Sequence, residues 1–197
     1  MPATVAVHLP QTLRVSEEQF VAIVQANPDL RLERTATGEL IAMSPTGSES
    51  GSYNSELIAD VALWNRRIRL GKVFDSSSGF RLPNGAIRSP DVVWVAMERW
   101  TALSPDQRQG FAPLCPDFVM ELLSATDDGA TLQAKMQEYM DNGCRLGWLV
   151  NPKTRTVAVY RPDVAPEVVP FTVTLSGESV LPGFELNLHA LLPLEMA

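Results

Sequence analysis

The run Phe118-Val-Met-Glu-Leu-Leu123 constrains this chain more than any other stretch. Five apolar residues surround one carboxylate, Glu121, between Cys115-Pro116-Asp117 and Ser124-Ala-Thr-Asp-Asp-Gly129. A short apolar run with such flanks reads as a buried strand followed by a loop. Ionised carboxylates are rarely kept among apolar neighbours unless paired or bound to a metal. A helix expected over Ala130–Asp141, capped by Thr126 or Asp128 and closed by Asn142-Gly143, places Leu132, Met136 and Tyr139 on one face. Lys135 lies beside that face. Only three lysines occur against thirteen arginines, yet spacing alone reads Lys135 as an exposed helical residue.

A second acid stands at the mouth of another strand. Pro90-Asp91 opens Val92-Val93-Trp94-Val95, and proline is acceptable at a strand's first residue because no ladder bond is lost there. Neighbouring strands lie about 4.8 Å apart, so Asp91 and Glu121 can converge. An oxygen-only pair suits a magnesium ion that keeps several waters and takes its other ligands from substrate phosphate. Asp117 lies four residues before Glu121 on the same strand, about 13 Å away, too far to share that ion. Asp127 and Asp128 read as caps.

The remaining chain supplies elements on both sides. Ser16-Glu17-Glu18-Gln19 is a capping box for a helix over Glu17–Ala26. Leu30–Arg34 and Glu39–Met43 flank Thr37-Gly38 as a hairpin, and Ser44-Pro45-Thr46-Gly47 breaks the chain. A helix over Ser52–Leu70 carries Leu57, Val61, Trp64 and Ile68 as a core stripe, with Gly71 at its C′ position. Glu56 borders that stripe and is an auxiliary candidate for the site, with Glu49 a weaker one. Strands are expected at Val73–Leu82, Leu146–Val150, Thr156–Tyr160, Glu167–Leu175 and Phe184–Leu188, and Ser104-Pro105 starts a short helix. The pattern is α/β or α+β with a mixed sheet, read as a single domain over residues 1–197 with an N-terminal helix and hairpin extension over about 1–45.

Composition narrows function. A 45% hydrophobic and 20% charged chain is globular, and no apolar run is long enough to span a membrane. Two histidines at opposite ends, His8 and His189, argue against a His-based centre. Cys115 and Cys144 read as reduced core thiols of a cytoplasmic protein. The net charge is −7, but residues 66–88 hold six basic residues (Arg66, Arg67, Arg69, Lys72, Arg81, Arg88) against Asp75, which is +5 and leaves −12 for the rest. That run reads either as a phosphate-contacting face or as a solvated helix end.

Taken together, MSPTG, LGKVFDSSSGFRLPNGAIRSPDVVWV, CPDFVMELLS, LQAKMQEYMDNGCRLGWLVNP, VYRP, LSGE and LPGFELNL resemble the Uma-type restriction endonucleases of the PD-(D/E)XK superfamily. The resemblance spans about Glu39 to Leu188. It implies a restriction endonuclease-like curved mixed sheet flanked by helices, a homodimer or higher homo-oligomer, DNA as substrate, and magnesium, or manganese in its place, as cofactor. It further implies Asp91, Glu121 and the main-chain carbonyl of Leu122 as metal ligands. Lys135 corresponds to the family's lysine displaced onto the following helix, since Leu123 holds the strand position. Members often carry a histidine near the start of the first core helix, where this chain has Ser50 and Gly51. Two functions are expected from these features: a magnesium-dependent endonuclease, or a catalytically inactive nuclease-fold module that binds nucleic acid or assembles.

Overall fold

A computed structural model describes residues 13–43, 45–124 and 127–191; His8, Ser44 and Thr126 lie outside them. The capping box at Ser16 forms, its hydroxyl accepting from Gln19 N at 3.1 Å while the Gln19 side chain accepts from Ser16 N, and it starts α1 (Glu17–Ala26). The hairpin follows as β1 (Arg31–Arg34) and β2 (Leu40–Met43), turning at Gly38 with φ 91°. The first core helix, α2 (Ser48–Ile68), begins four residues before its expected start. The Ser/Gly-rich opening is helical because Glu49 complements the dipole there and accepts from the Tyr53 hydroxyl one turn on, at 2.9 Å.

Gly71 does not cap that helix. Arg69 takes the left-handed position (φ 57°), and Gly71 instead begins β3 (Gly71–Asp75). A Cβ on Gly71 would meet Val95 O at 2.3 Å and the Trp94 ring at 2.4 Å, so a close strand approach requires glycine there. The single strand expected over Val73–Leu82 is broken as well. Asp75 Oδ1 accepts from Ser77 N at 3.0 Å in a tight turn, after which β4 (Phe80–Arg81) and β5 (Ile87–Arg88) leave for another sheet.

The order continues with β6 (Val92–Ala96), α3 (Met97–Thr101), α4 (Pro105–Gln109), β7 (Phe118–Leu122) and α5 (Gly129–Asp141), the last capped by Asp128, whose carboxylate accepts from Thr131 N at 3.0 Å. Then come β8 (Leu146–Asn151), β9 (Thr156–Arg161), β10 (Val164–Pro170), β11 (Leu175–Ser176), β12 (Glu185–Leu186) and α6 (Leu188–Leu191). The main sheet runs β10-β9-β8-β7-β6-β3; β7 and β8 are parallel and the other pairs antiparallel. A second sheet, β2-β1-β5-β4, joins the N-terminal hairpin to the chain just before β6. The fold is mixed α+β.

Helices cover the two faces of the main sheet. On one, Leu57, Val61 and Trp64 of α2 pack with Trp94, Phe118, Met120 and Trp148. On the other, Met136, Tyr139 and Met140 of α5 pack with Val119 and Leu149. Gly147 lets α5 approach: an added Cβ would lie 2.6 Å from the Met136 Cε. Asp117, the acid read as too distant for the site, is buried as a brace, accepting from Ala96 N at 2.9 Å and pairing with Arg99 at 3.0 Å. No described helix is long and apolar enough to cross a membrane.

Candidate metal and catalytic centre

Register brings the two acids together. In the antiparallel β6–β7 pair Val92 faces Met120, so Asp91, just before β6, lies beside Glu121. Glu121 meets α5 through Tyr139 and Lys135, while the Asp91 carboxylate reaches Asn54 of α2. Asp91 Oδ2 accepts from Leu122 N at 2.8 Å, and Oδ1 accepts from Asn54 Nδ2 at 3.1 Å. In an extended strand a residue's N–H and C=O point to the same side, so the Leu122 carbonyl also faces β6.

Glu121 is 5% exposed. Its Oε1 accepts from the Tyr139 hydroxyl at 2.9 Å and pairs with Lys135 Nζ at 2.9 Å. The spacing-only reading of Lys135 as a surface residue fails here. Its side chain is 12% exposed, because α5 lies close enough to the sheet for the amine to reach inward. A third carboxylate, which nothing in the sequence singled out, completes the arrangement. Glu33 of β1 accepts from Lys135 Nζ at 2.9 Å, from Ser89 N at 2.8 Å and from Arg88 Nη1 at 3.1 Å. Arg88 continues to Glu138 at 2.7 Å.

The charges do not balance. Among the described residues Glu121, Glu33 and Glu138 share Lys135 and Arg88, while Asp91 adds its charge to Glu121 and is itself acted on by Asp127, so acids outnumber cations here. The imbalance is visible in proton affinities. Burial pushes the Glu121 carboxyl up to about 7; Lys135 pulls it down, while Asp91 and Glu33 push it further up. Burial likewise raises Asp91 above the usual carboxylate range, despite the Leu122 N–H and Lys135. Glu33 goes the other way: burial opposes its charge, but Lys135 and Arg88 outweigh that and hold it below its ordinary value. Burial also opposes the Lys135 charge, yet Glu121 and Glu33 raise its affinity for the proton, and it stays an ammonium.

These shifts fix a pH dependence of the metal-free fold. A carboxyl raised when folded binds its proton more tightly than the unfolded chain does, so its contribution is present below about pH 4.5 and is lost as pH rises through about 7. The full swing is about 3 kcal/mol. In EDTA, Glu121→Gln is therefore expected to melt several degrees above wild type at pH 8 and at no higher temperature at pH 4. A melting difference that does not change with pH would contradict the account.

A cleft of about 610 Å³ opens on Asp91, walled by Arg31, Thr46, Asn54, Ile58 and Asp75. Of the three acid and amine groups read from the sequence, Asp91 alone lines it. A hollow of about 680 Å³ between α1 and α4, lined by Phe74, Trp100 and Phe111, includes none of them. Asn54 Oδ1 is buried at the Asp91 cleft without a hydrogen-bond partner, an acceptor available to a cation or its water. Among the described residues no three His, Cys, Asp or Glu side chains group to cage a metal. The oxygen donors these elements carry, the Asp91 and Glu121 carboxylates, the Leu122 carbonyl and the Asn54 amide oxygen, are of the kind taken by magnesium that keeps several waters.

Other expected positions fall elsewhere. Glu56 is exposed and acts on Asp60 along its own helix, and Glu49 is exposed as well; the α2 side chain that touches Asp91 is Asn54. Arg88 is not part of a basic surface. It is 8% exposed because β5 turns it inward between Glu33 and Glu138. Arg81 pairs with Glu17 at 2.7 Å, whereas Arg66, Arg67, Arg69 and Lys72 are exposed.

Residues 17–189 match the family model Uma2, described as "Putative restriction endonuclease". The chain belongs to the Uma2 family. Among solved structures, a protein from Anabaena variabilis ATCC 29413 described as "a putative nuclease belonging to DUF820" shares its fold, with TM-score 0.70 and 20% identity over 82% of this chain and 89% of that one. No curated protein matches significantly. This Uma2 chain thus has the nuclease-like architecture expected from its motifs.

Proposed function

We propose that this Uma2 protein is a divalent-metal-dependent endonuclease that hydrolyses phosphodiester bonds in DNA. The observation that supports it most is the excess of carboxylates over cations around Glu121 and Asp91, with the Lys135 ammonium 2.9 Å from Glu121. Asp91, Glu121 and the Leu122 carbonyl are the ligands in this reading. A bound magnesium ion, or manganese in its place, supplies a water of lowered pKa and Lewis-acid polarisation of the phosphate. Asn54 and Leu122 N orient Asp91, and the Tyr139 hydroxyl orients Glu121. Lys135 stays protonated, so its role is to stabilise negative charge developing on phosphoryl oxygen rather than to take a proton from water.

Exposed Arg66, Arg67, Arg69 and Lys72 are the candidates for backbone phosphate contacts. A cut through both strands needs two such centres, which a homodimer supplies. The buried free thiols Cys115 and Cys144 suit the reducing cytoplasm. An inactive nuclease-fold module is the second reading: Asp29 and Asp75 in the cleft wall repel a phosphate approaching Asp91, which leaves nucleic acid to the exposed basic residues alone.

Supercoiled plasmid incubated with wild type in magnesium is expected to be nicked or linearised, with EDTA blocking the reaction. Asp91→Asn, which keeps the size of the side chain, should abolish it. Undiminished cleavage by Asp91→Asn overturns the assignment, and DNA retention without cleavage in magnesium or manganese selects the inactive module.

A further inference from the structure

We propose that Glu33, on the N-terminal hairpin, is the positioning residue for Lys135: it keeps the ammonium in the centre when Glu121 turns its charge to a cation. The inference rests on the metal-dependent reading above and concerns how the amine is held there.

Lys135 Nζ lies 2.9 Å from a carboxylate oxygen on each side, Glu121 on β7 and Glu33 on β1. The two anchors are built differently. Glu121 is shared among Tyr139, Lys135 and the proposed ion. Glu33 is fixed instead by Ser89 N at 2.8 Å and Arg88 Nη1 at 3.1 Å. Arg88 is itself clamped by Glu138, which also accepts from Asn84 Nδ2 at 3.0 Å. A divalent cation at Glu121 repels an ammonium beside it and competes for the same oxygen. Glu33 is then the anion that remains on the amine's far side. Glu33 and Lys135 lie 102 positions apart in sequence, and their bond ties the hairpin sheet directly to the reacting centre. A purely structural tie would need no charge aimed at the amine; the Arg88 and Ser89 bonds already fasten the hairpin.

The test reads Lys135 itself. With three lysines in the chain, the Lys135 Nζ signal is assignable by nitrogen-15 NMR, and its hydrogen bonds protect it from rapid solvent exchange. Wild type is expected to show the protected signal with and without magnesium. Glu33→Gln should show it without magnesium, where Glu121 still pairs, and lose it when magnesium is added. Kinetically, Glu33→Gln is expected to lower kcat about 10–100-fold with KM unchanged. Adding it to Lys135→Met should cost nothing further, because both changes act through one amine.

A protected signal in magnesium-loaded Glu33→Gln, or additive kinetic losses, overturns the proposal. So does loss of the wild-type signal on adding magnesium, which needs no variant to fold. A wild-type spectrum that does not respond to magnesium at all removes both this inference and the reading beneath it, whereas a wild-type response with an unaltered Glu33→Gln pattern removes this inference alone.

Discussion

Glu121→Gln is expected to lower magnesium-dependent DNA cleavage on the order of 10³-fold or more while leaving the fold at least as stable as wild type. The amide keeps the shape of the side chain and an oxygen for the Tyr139 hydroxyl and the Lys135 amine, both of which use Oε1 in the native arrangement. It removes one of the carboxylate charges that would draw a divalent ion. Stability moves the other way, because the native carboxylate is buried beside Asp91 and Glu33 and holds its proton up to about pH 7. Loss of activity with gain of stability separates a metal ligand from a structural residue, whose loss lowers both. The measurement is a cleavage time course paired with thermal melts at pH 8 in EDTA. Cleavage within threefold of wild type removes Glu121 from the mechanism.

Arg88→Ala carries the largest expected effect on folding, about 3–5 kcal/mol. Its guanidinium compensates Glu33 and Glu138 at once, at 3.1 and 2.7 Å, in a site only 10% exposed. Removing it leaves Glu33 to Lys135 and Ser89 N, and leaves Glu138 with Asn84 as its remaining described donor. Two inward carboxylates then lose a fixed cation, which costs far more than an exposed ion pair gives. Arg67→Ala, at the exposed end of α2, is expected to change stability by less than about 0.5 kcal/mol. Urea denaturation of the two variants checks this. An Arg88→Ala protein as stable as wild type but weak in DNA binding would return Arg88 to the basic surface.

The contrast between these two arginines shows where sequence reading reaches its limit. Counting charges over residues 66–88 cannot tell that Arg88 turns inward while Arg67 does not, because β5 is two residues long and its orientation is set by pairing with β1 and β4. Glu33 is hidden for a related reason. In Arg31-Leu-Glu-Arg34 the alternation suggests one buried face, yet Leu32 and Glu33 are both buried, since the hairpin packs on α1 through one face and reaches Lys135 and Arg88 through the other. Local pattern carries no signal for a partner as remote in the chain as Lys135.

Other features were legible because they are local or strictly periodic. The Ser16 capping box, the buried run around Glu121 and the α2 stripe of Leu57, Val61 and Trp64 each follow from neighbours a few residues away, although Ile68, expected to extend that stripe, is exposed at the helix end. That Asp91 and Glu121 lie opposite one another in register needed only that their strands be adjacent. The Val73–Leu82 segment misled because its apolar ends look like one strand, while the turn at Asp75 sends them to two sheets. Charge singles out Glu56 on α2, whereas position on the helix decides that Asn54 is the residue that reaches Asp91.

A crystal of this protein grown with manganese, with anomalous scattering measured at the manganese edge, tests the central arrangement most directly. One peak is expected about 2.2 Å from a carboxylate oxygen of both Asp91 and Glu121, with the Leu122 carbonyl in its shell and Lys135 still bonded to Glu33. A peak that contacts only one of the two acids, or none at that position, contradicts the account.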